Sequence, residues 1–191
     1  MEEFLNKNPD LKNNTNLLKY LIDKDLSEAD INKACEKIKF FNKWTNEKII
    51  TSCKKLTETE YKKDRGAFFS SIHGTLNHLL VVDRAFVGYI EEKNHGLKSL
   101  DQILYENLFQ LEEARIKEDK RLVDLINNLS EESMHKEITY QGFDSGKQTY
   151  TINLILMTLF NHQTHHRGQV HNMLSQAGVK PPQIDIPDFV K

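Results

Sequence analysis

The chain has 191 residues, a formal net charge of −2 and 38% hydrophobic residues, which suits one domain with a sizeable core. No basic run tracks a nucleic-acid backbone, no stretch of about 18 apolar residues would span a membrane, and the acidic opening Met1-Glu2-Glu3 lacks the apolar region of a secretory signal. The expectation is a cytoplasmic protein that acts on a small molecule, with neither nucleic acid nor membrane as partner.

Residues Met1 to Leu26 are rich in Asn, Lys and Asp. Leu17, Leu18, Leu21 and Ile22 are spaced for one short helix docked on the rest, and a solvated tail is the other reading. The domain boundary is therefore set between an extension over 1–26 and a helical domain over 27–191. A first helix is predicted over about Asp30–Leu56, with Ser27 and Asp30 as its start signal. Its apolar positions are Ile31, Ala34, Ile38, Phe41, Trp44, Ile49 and Cys53. Cys35 and Cys53 lie about five turns apart on that helix, so they share a face but cannot pair. They read as small buried residues in a reducing compartment.

A second helix is predicted over about Phe68–Glu92, with Ile72, Leu76, Leu79, Phe86, Val87 and Ile90 on its apolar face. His78 sits at the edge of that face. His73 points away from it and reads as a surface or cap residue, but periodicity alone does not choose between the two as ligands. Asp83 points into the middle of the face. A carboxylate there needs a partner, whether a ligand imidazole, an Arg such as Arg167, or the Trp44 N–H. A third helix is predicted over about Leu100–Leu129, capped by Ser99. Between Ser130 and Thr151, the alternation at Ile138 and Tyr140 before a Gly/Asp/Ser turn suggests a short hairpin. It is either a plain connector or a lid on whatever site follows.

The fourth helix, about Tyr150–Gln176 and ended by Gly178 and Pro181, carries the most informative pattern. Four of the chain's eight histidines fall within residues 162–171. His162 and His166 are one turn apart and face the same way. Positions 155, 159, 162, 166, 169 and 173 form one stripe, which places His162, His166 and Gln169 where Leu would be expected. Buried polar groups cost on the order of 1–3 kcal/mol unless they are bonded, so three in one stripe imply a shared partner. A divalent metal is the candidate, since imidazole suits zinc, nickel or iron. His165 lies on the stripe's edge, and His171 faces solvent.

Several separate motifs occur together in this chain. Ser71-Ile72-His73-Gly74-Thr75-Leu76-Asn77-His78 with Asp83-Arg84, and Asn161-His162-Gln163-Thr164-His165-His166-Arg167-Gly168-Gln169, resemble the DinB family. Asn42-Lys43-Trp44-Thr45-Asn46 resembles that family's Asn-x-Trp-x-Asn element, and the stretch from Gln176 to Asp185 resembles its C-terminal end. The resemblance implies an all-α, up-down-down-up four-helix bundle, often a homodimer, with a divalent metal held by three histidines. Matched residue by residue, the ligands are His78, His162 and His166. The wider superfamily includes transferases and isomerases that use bacillithiol, mycothiol or glutathione.

Three neutral ligands leave a coordination position open, which favours catalysis over a structural role. A metal there would acidify a bound thiol or water. The expectation is a metal-dependent enzyme that activates a low-molecular-weight thiol, with Gln169 as candidate catalytic residue and Asp83, Asn161 and His165 as candidate supports of the ligands. The alternatives are a metal-dependent hydrolase on the same site and a non-catalytic stress-response bundle. A fourth protein ligand, such as His165 or His73, would favour the last.

Overall fold

The computed structural model describes residues 28–190, with side chains from residue 37 onward; the proposed helix at Leu17–Ile22 and the side chain of Cys35 lie outside them. Among the described residues the elements are α1 (Glu28–Cys53), α2 (Glu58–Lys62), α3 (Ile72–Ile90), α4 (Leu108–Asn127), α5 (Glu131–Met134), β1 (Glu137–Gln141), β2 (Lys147–Thr151), α6 (Ile152–Gln176) and α7 (Ile186–Phe189). The protein is mostly helical, and α1 and α3 each pack against both α4 and α6.

Apolar periodicity makes two core clusters rather than one. One gathers Val87, Ile90, Leu122, Ile126, Ile138, Ile155 and Leu159. The other gathers Ile49, Cys53, Ile72, Leu76, Leu111, Val170 and Leu174. Helices α3 and α4 run from the second cluster to the first. Helix α6 runs the opposite way, and so does α1, which touches the first cluster at Ile38 and the second at Ile49. Between the clusters every long helix turns polar groups inward: Asn42 and Asn46 from α1, Asp83 from α3, Arg115 and Asp119 from α4, and Gln163 and Arg167 from α6 are all buried.

Those groups pair with one another, and only Asn42 Nδ2, Asp83 Oδ1 and the Arg115 guanidinium nitrogens, which make ion pairs, lack a hydrogen bond among them. Arg115 pairs with Asp83 at 2.7 Å and with Asp119 at 3.0 Å. The Gln163 amide donates to Asp83 at 2.6 Å, and Asn46 donates to Asp119 at 2.9 Å. Arg167 donates to Asn42, to Asn46 at 3.1 Å and to Gln163 at 3.2 Å. Two arginines and two carboxylates thus form a neutral layer through the core, the arrangement that makes buried charge tolerable. Burial lowers Arg167 to about 10, which leaves it protonated at neutral pH.

Two predicted elements and one predicted surface residue need correction. Helix α3 starts at Ile72 rather than Phe68: the Ser71 hydroxyl accepts from the Gly74 N–H at 3.0 Å, and the residues before it make a tight turn. Helix α4 starts at Leu108, capped by Asn107 rather than Ser99. The stretch before it is irregular because α3 side chains take its backbone groups. Asn77 accepts from the N–H groups of Leu104 and Tyr105, both at 2.9 Å, and His73 meets the Tyr105 carbonyl at 2.9 Å. His73 is accordingly buried, not a surface residue. The hairpin forms as expected, with β1 antiparallel to β2 and Gly146 at φ +71° in its turn. Its Tyr140 stacks on Tyr89 at 4.0 Å and its Gln141 carbonyl accepts from the Tyr89 hydroxyl. It packs on the C-terminal half of α3.

Candidate metal centre

His78 lies in the middle of α3, and His162 and His166 lie one turn apart in the middle of α6. Packing of these two helices brings the three rings together. One ring nitrogen from each lies within 4.8 Å of the others, and the Nε2 atoms of His78 and His162 are 3.0 Å apart. Nitrogens bound tetrahedrally at about 2.05 Å sit roughly 3.3 Å from one another, so small ring movements suffice to surround one ion. His78 and His166 are buried, and His162 is half-buried.

The outer nitrogens fix the tautomers. His78 Nδ1 lies 2.8 Å from the Leu100 carbonyl, which only an Nδ1–H can satisfy, so its Nε2 keeps a lone pair. His166 Nδ1 donates to the Gln169 amide oxygen at 2.7 Å, which frees its Nε2 in the same way. Nδ1 of His162 is buried with no hydrogen-bond partner among the described residues. Two inward lone pairs beside a third ring short of partners fit a cation at their meeting point. Imidazole is a ligand only when neutral, and burial keeps these rings so. It lowers His78 to about 4 and His162 to about 3, helped at His162 by the neighbouring His166 and His78. Burial also lowers His166, against the opposing hydrogen bond to Gln169.

The residues considered as supports separate clearly. Gln169 reaches two histidines: its oxygen accepts from His166, and its Nε2 donates to His165 Nε2 at 3.1 Å. It is placed to orient a ligand ring. His165 is exposed and meets that amide through Nε2, with its ring edge-on to His166 at 4.8 Å, and His73 is held by Tyr105, so neither joins the three clustered ring nitrogens. Asp83 touches no ligand imidazole: its partners are Arg115 and Gln163, not Arg167 or Trp44. Asn161 is exposed. Trp44 packs instead on Phe41 and Phe189, at ring distances of 5.9 and 5.6 Å.

The buried face of α6 is centred on Gln163, His166, Arg167 and Val170, and Gln169 is half-buried at its border. It is turned from the expected stripe because Gln163 and Arg167 face inward to the charged layer. The sequence also hid Phe69. Its ring stacks on His78 with centroids 3.7 Å apart and planes 19° off parallel, and it stands edge-on to His166 at 5.6 Å. The helix-like spacing of Phe68 and Phe69 before Ile72 concealed the turn that puts it there.

A family model described as the DinB family matches residues 31–191. The chain belongs to the DinB family. It is 32% identical over 154 residues to Protein DinB of Bacillus subtilis (strain 168), an alignment that covers 76% of this chain and 87% of that one. A crystal structure of a DinB-like protein from Bacillus cereus superimposes with a TM-score of 0.58 at 18% identity, over 73% of this chain and 89% of that one. That likeness bears on the fold alone. For this DinB-family chain, the residues matched to the family's ligand pattern are the three whose rings meet.

Proposed function

We propose that this protein is a metal-dependent enzyme in which His78, His162 and His166 hold one divalent ion and a low-molecular-weight thiol is activated for attack on an electrophile. The observation that carries the reading is the three-ring cluster, with the nitrogens of His73 and His165 outside it. Three neutral ligands leave room for a further one. When bound, a divalent ion supplies Lewis acidity that lowers the pKa of a thiol beside it.

The protein's own residues have simple parts in this. Leu100 holds His78 and Gln169 holds His166 with their free nitrogens inward. Phe69 shields one face of His78 from water. In the transfer, the thiol sulfur forms a bond to the acceptor carbon. The bond from that carbon to its leaving group breaks, the leaving group departs with the electron pair, and the thiol proton passes to solvent.

We further propose that the four long helices form an up-down-down-up bundle, with a homodimer in the cytoplasm as the working form. The opposite runs of α1 and α6 against α3 and α4 between the two core clusters support that topology.

The test is a transfer assay with 1-chloro-2,4-dinitrobenzene as acceptor and cysteine, glutathione, bacillithiol or mycothiol as donor. Metal-dependent product formation with one of these thiols, lost in His162→Ala, is expected. Metal binding without any metal-dependent transfer would favour the non-catalytic reading. Metal-dependent ester or amide cleavage in its place would favour the hydrolase.

A further inference from the structure

We infer that the turn over residues 67–70 is the acceptor-binding element of this site, and that the acceptor it takes is an apolar, preferably aromatic, electrophile. The inference rests on the enzyme reading above for the word acceptor, but its physical content is an apolar binding platform beside the three histidines.

The turn is tightly built. The Ser70 N–H donates to the Ala67 carbonyl at 2.8 Å, and the Arg65 N–H donates to the Ser70 carbonyl at 2.7 Å. The Arg65 guanidinium is tied to Glu60 at 2.6 Å, and the Gly66 N–H to the Asp64 carboxylate at 2.8 Å. Ser70 has φ +60°, a left-handed conformation that residues with a side chain rarely adopt. Gly74 faces the same turn so closely that a Cβ there would stand 2.2 Å from the Phe69 carbonyl oxygen. Such strain persists only where the surroundings impose it, and it concentrates at functional sites.

What these constraints present is a pair of phenyl rings. Phe69 lies flat on His78 and edge-on to His166, so it borders two of the three ligands. Phe68 meets Phe69 edge-to-face at 4.9 Å and is 88% exposed, the most exposed large apolar side chain among the described residues. Phe68 is therefore separated from His78 by one ring, that of Phe69. The platform is too small for a protein partner, because a stable protein interface buries about 1,000 Å² or more and the turn offers this single exposed ring. A small apolar molecule fits it: it covers the exposed face, and aromatic pairing with Phe68 adds orientation. A polar acceptor would gain nothing from it.

The test uses the full-length, zinc-loaded protein and N-phenyl-1-naphthylamine, a neutral aromatic whose fluorescence rises on binding. Phe68→Ala should weaken the probe at least fivefold, whereas Phe68→Tyr should largely retain it. Phe40→Ala, in the separate apolar groove of Ile38, Phe41, Ile186 and Phe189, should leave the affinity unchanged. Phe68 is solvated, so its variant keeps its fold and its metal content. Unchanged probe affinity in Phe68→Ala would overturn the inference.

In the transfer assay, the same variant should raise KM for 1-chloro-2,4-dinitrobenzene at least fivefold without changing KM for the small polar acceptor iodoacetamide. If probe binding depends on Phe68 while no thiol is transferred, the platform stands and the thiol reading falls. If transfer proceeds with probe affinity and KM indifferent to Phe68, the platform falls and the thiol reading stands.

Discussion

Asp83→Asn removes the charge from the centre of the polar layer while keeping its shape. Asp83 is fully buried, 2.7 Å from Arg115, and accepts from Gln163. Removing one partner of a buried pair leaves an uncompensated charge, at a cost of about 3–5 kcal/mol. Here Arg115 keeps Asp119 at 3.0 Å, and an Asn oxygen still accepts from Gln163, so the lower end, about 3 kcal/mol, is expected. A chain of this size loses roughly 2 kcal/mol per molar urea, which places the unfolding midpoint about 1.5 M lower. The measurement is equilibrium urea unfolding with a chelator present, so that metal adds nothing to either protein. A midpoint drop below about 0.3 M, or roughly 0.6 kcal/mol at that slope, would refute the claim that this layer locks α6 against α3 and α4.

Four further outcomes follow from the site and its surroundings. Gln169→Ala deprives His166 of its Nδ1 acceptor and should weaken metal binding by about 10–100-fold, read by competition with a chelator; an unchanged affinity would remove Gln169 from the site. Burial holds the His78 ring down at about 4 and the His162 ring at about 3, below the usual 6.5. Protons therefore compete for the metal only as pH falls through those lowered values, and occupancy followed by dialysis should hold from pH 7.5 to about 5 and fall at about 4 and below. The same lowering means that the unfolded chain takes up protons first, so the metal-free protein should lose stability as pH drops from 6.5 towards 4; metal loss centred near 6.5 would contradict the burial of these rings. Gly74→Ala would ordinarily gain up to about 1 kcal/mol in a helix, but its Cβ would meet the Phe69 carbonyl oxygen, so a lower melting temperature is expected and a higher one would show that the turn gives way freely.

Much of this was legible in the sequence, for identifiable reasons. The histidine pair stood out because polar groups interrupted an apolar stripe, and the hairpin because alternation ran into a Gly/Asp/Ser turn. The choice of His78 over His73 came from the family resemblance, and only the Tyr105 carbonyl held by His73 gives it a physical reason. Apolar periodicity misplaced the buried faces of α1 and α6, since it counts Leu and Ile but not the hydrogen bonds that Arg167 makes to Asn42, Asn46 and Gln163. It also extended α4 back to Leu100, although Asn77 takes the backbone groups that a helix would need. Phe69 stayed hidden because its role depends on a left-handed Ser70 and a close approach at Gly74, and neither leaves a trace in hydrophobic spacing.

Elemental analysis of protein prepared without a histidine tag, set beside His78→Ala, His162→Ala, His166→Ala and His171→Ala, shows whether the three clustered histidines hold an ion. About one divalent ion per chain is expected in the parent protein and in His171→Ala, and its loss in each of the other three. Metal retained in His162→Ala or His166→Ala, or a parent protein that stays empty after incubation with zinc, nickel and iron, would contradict the three-histidine site.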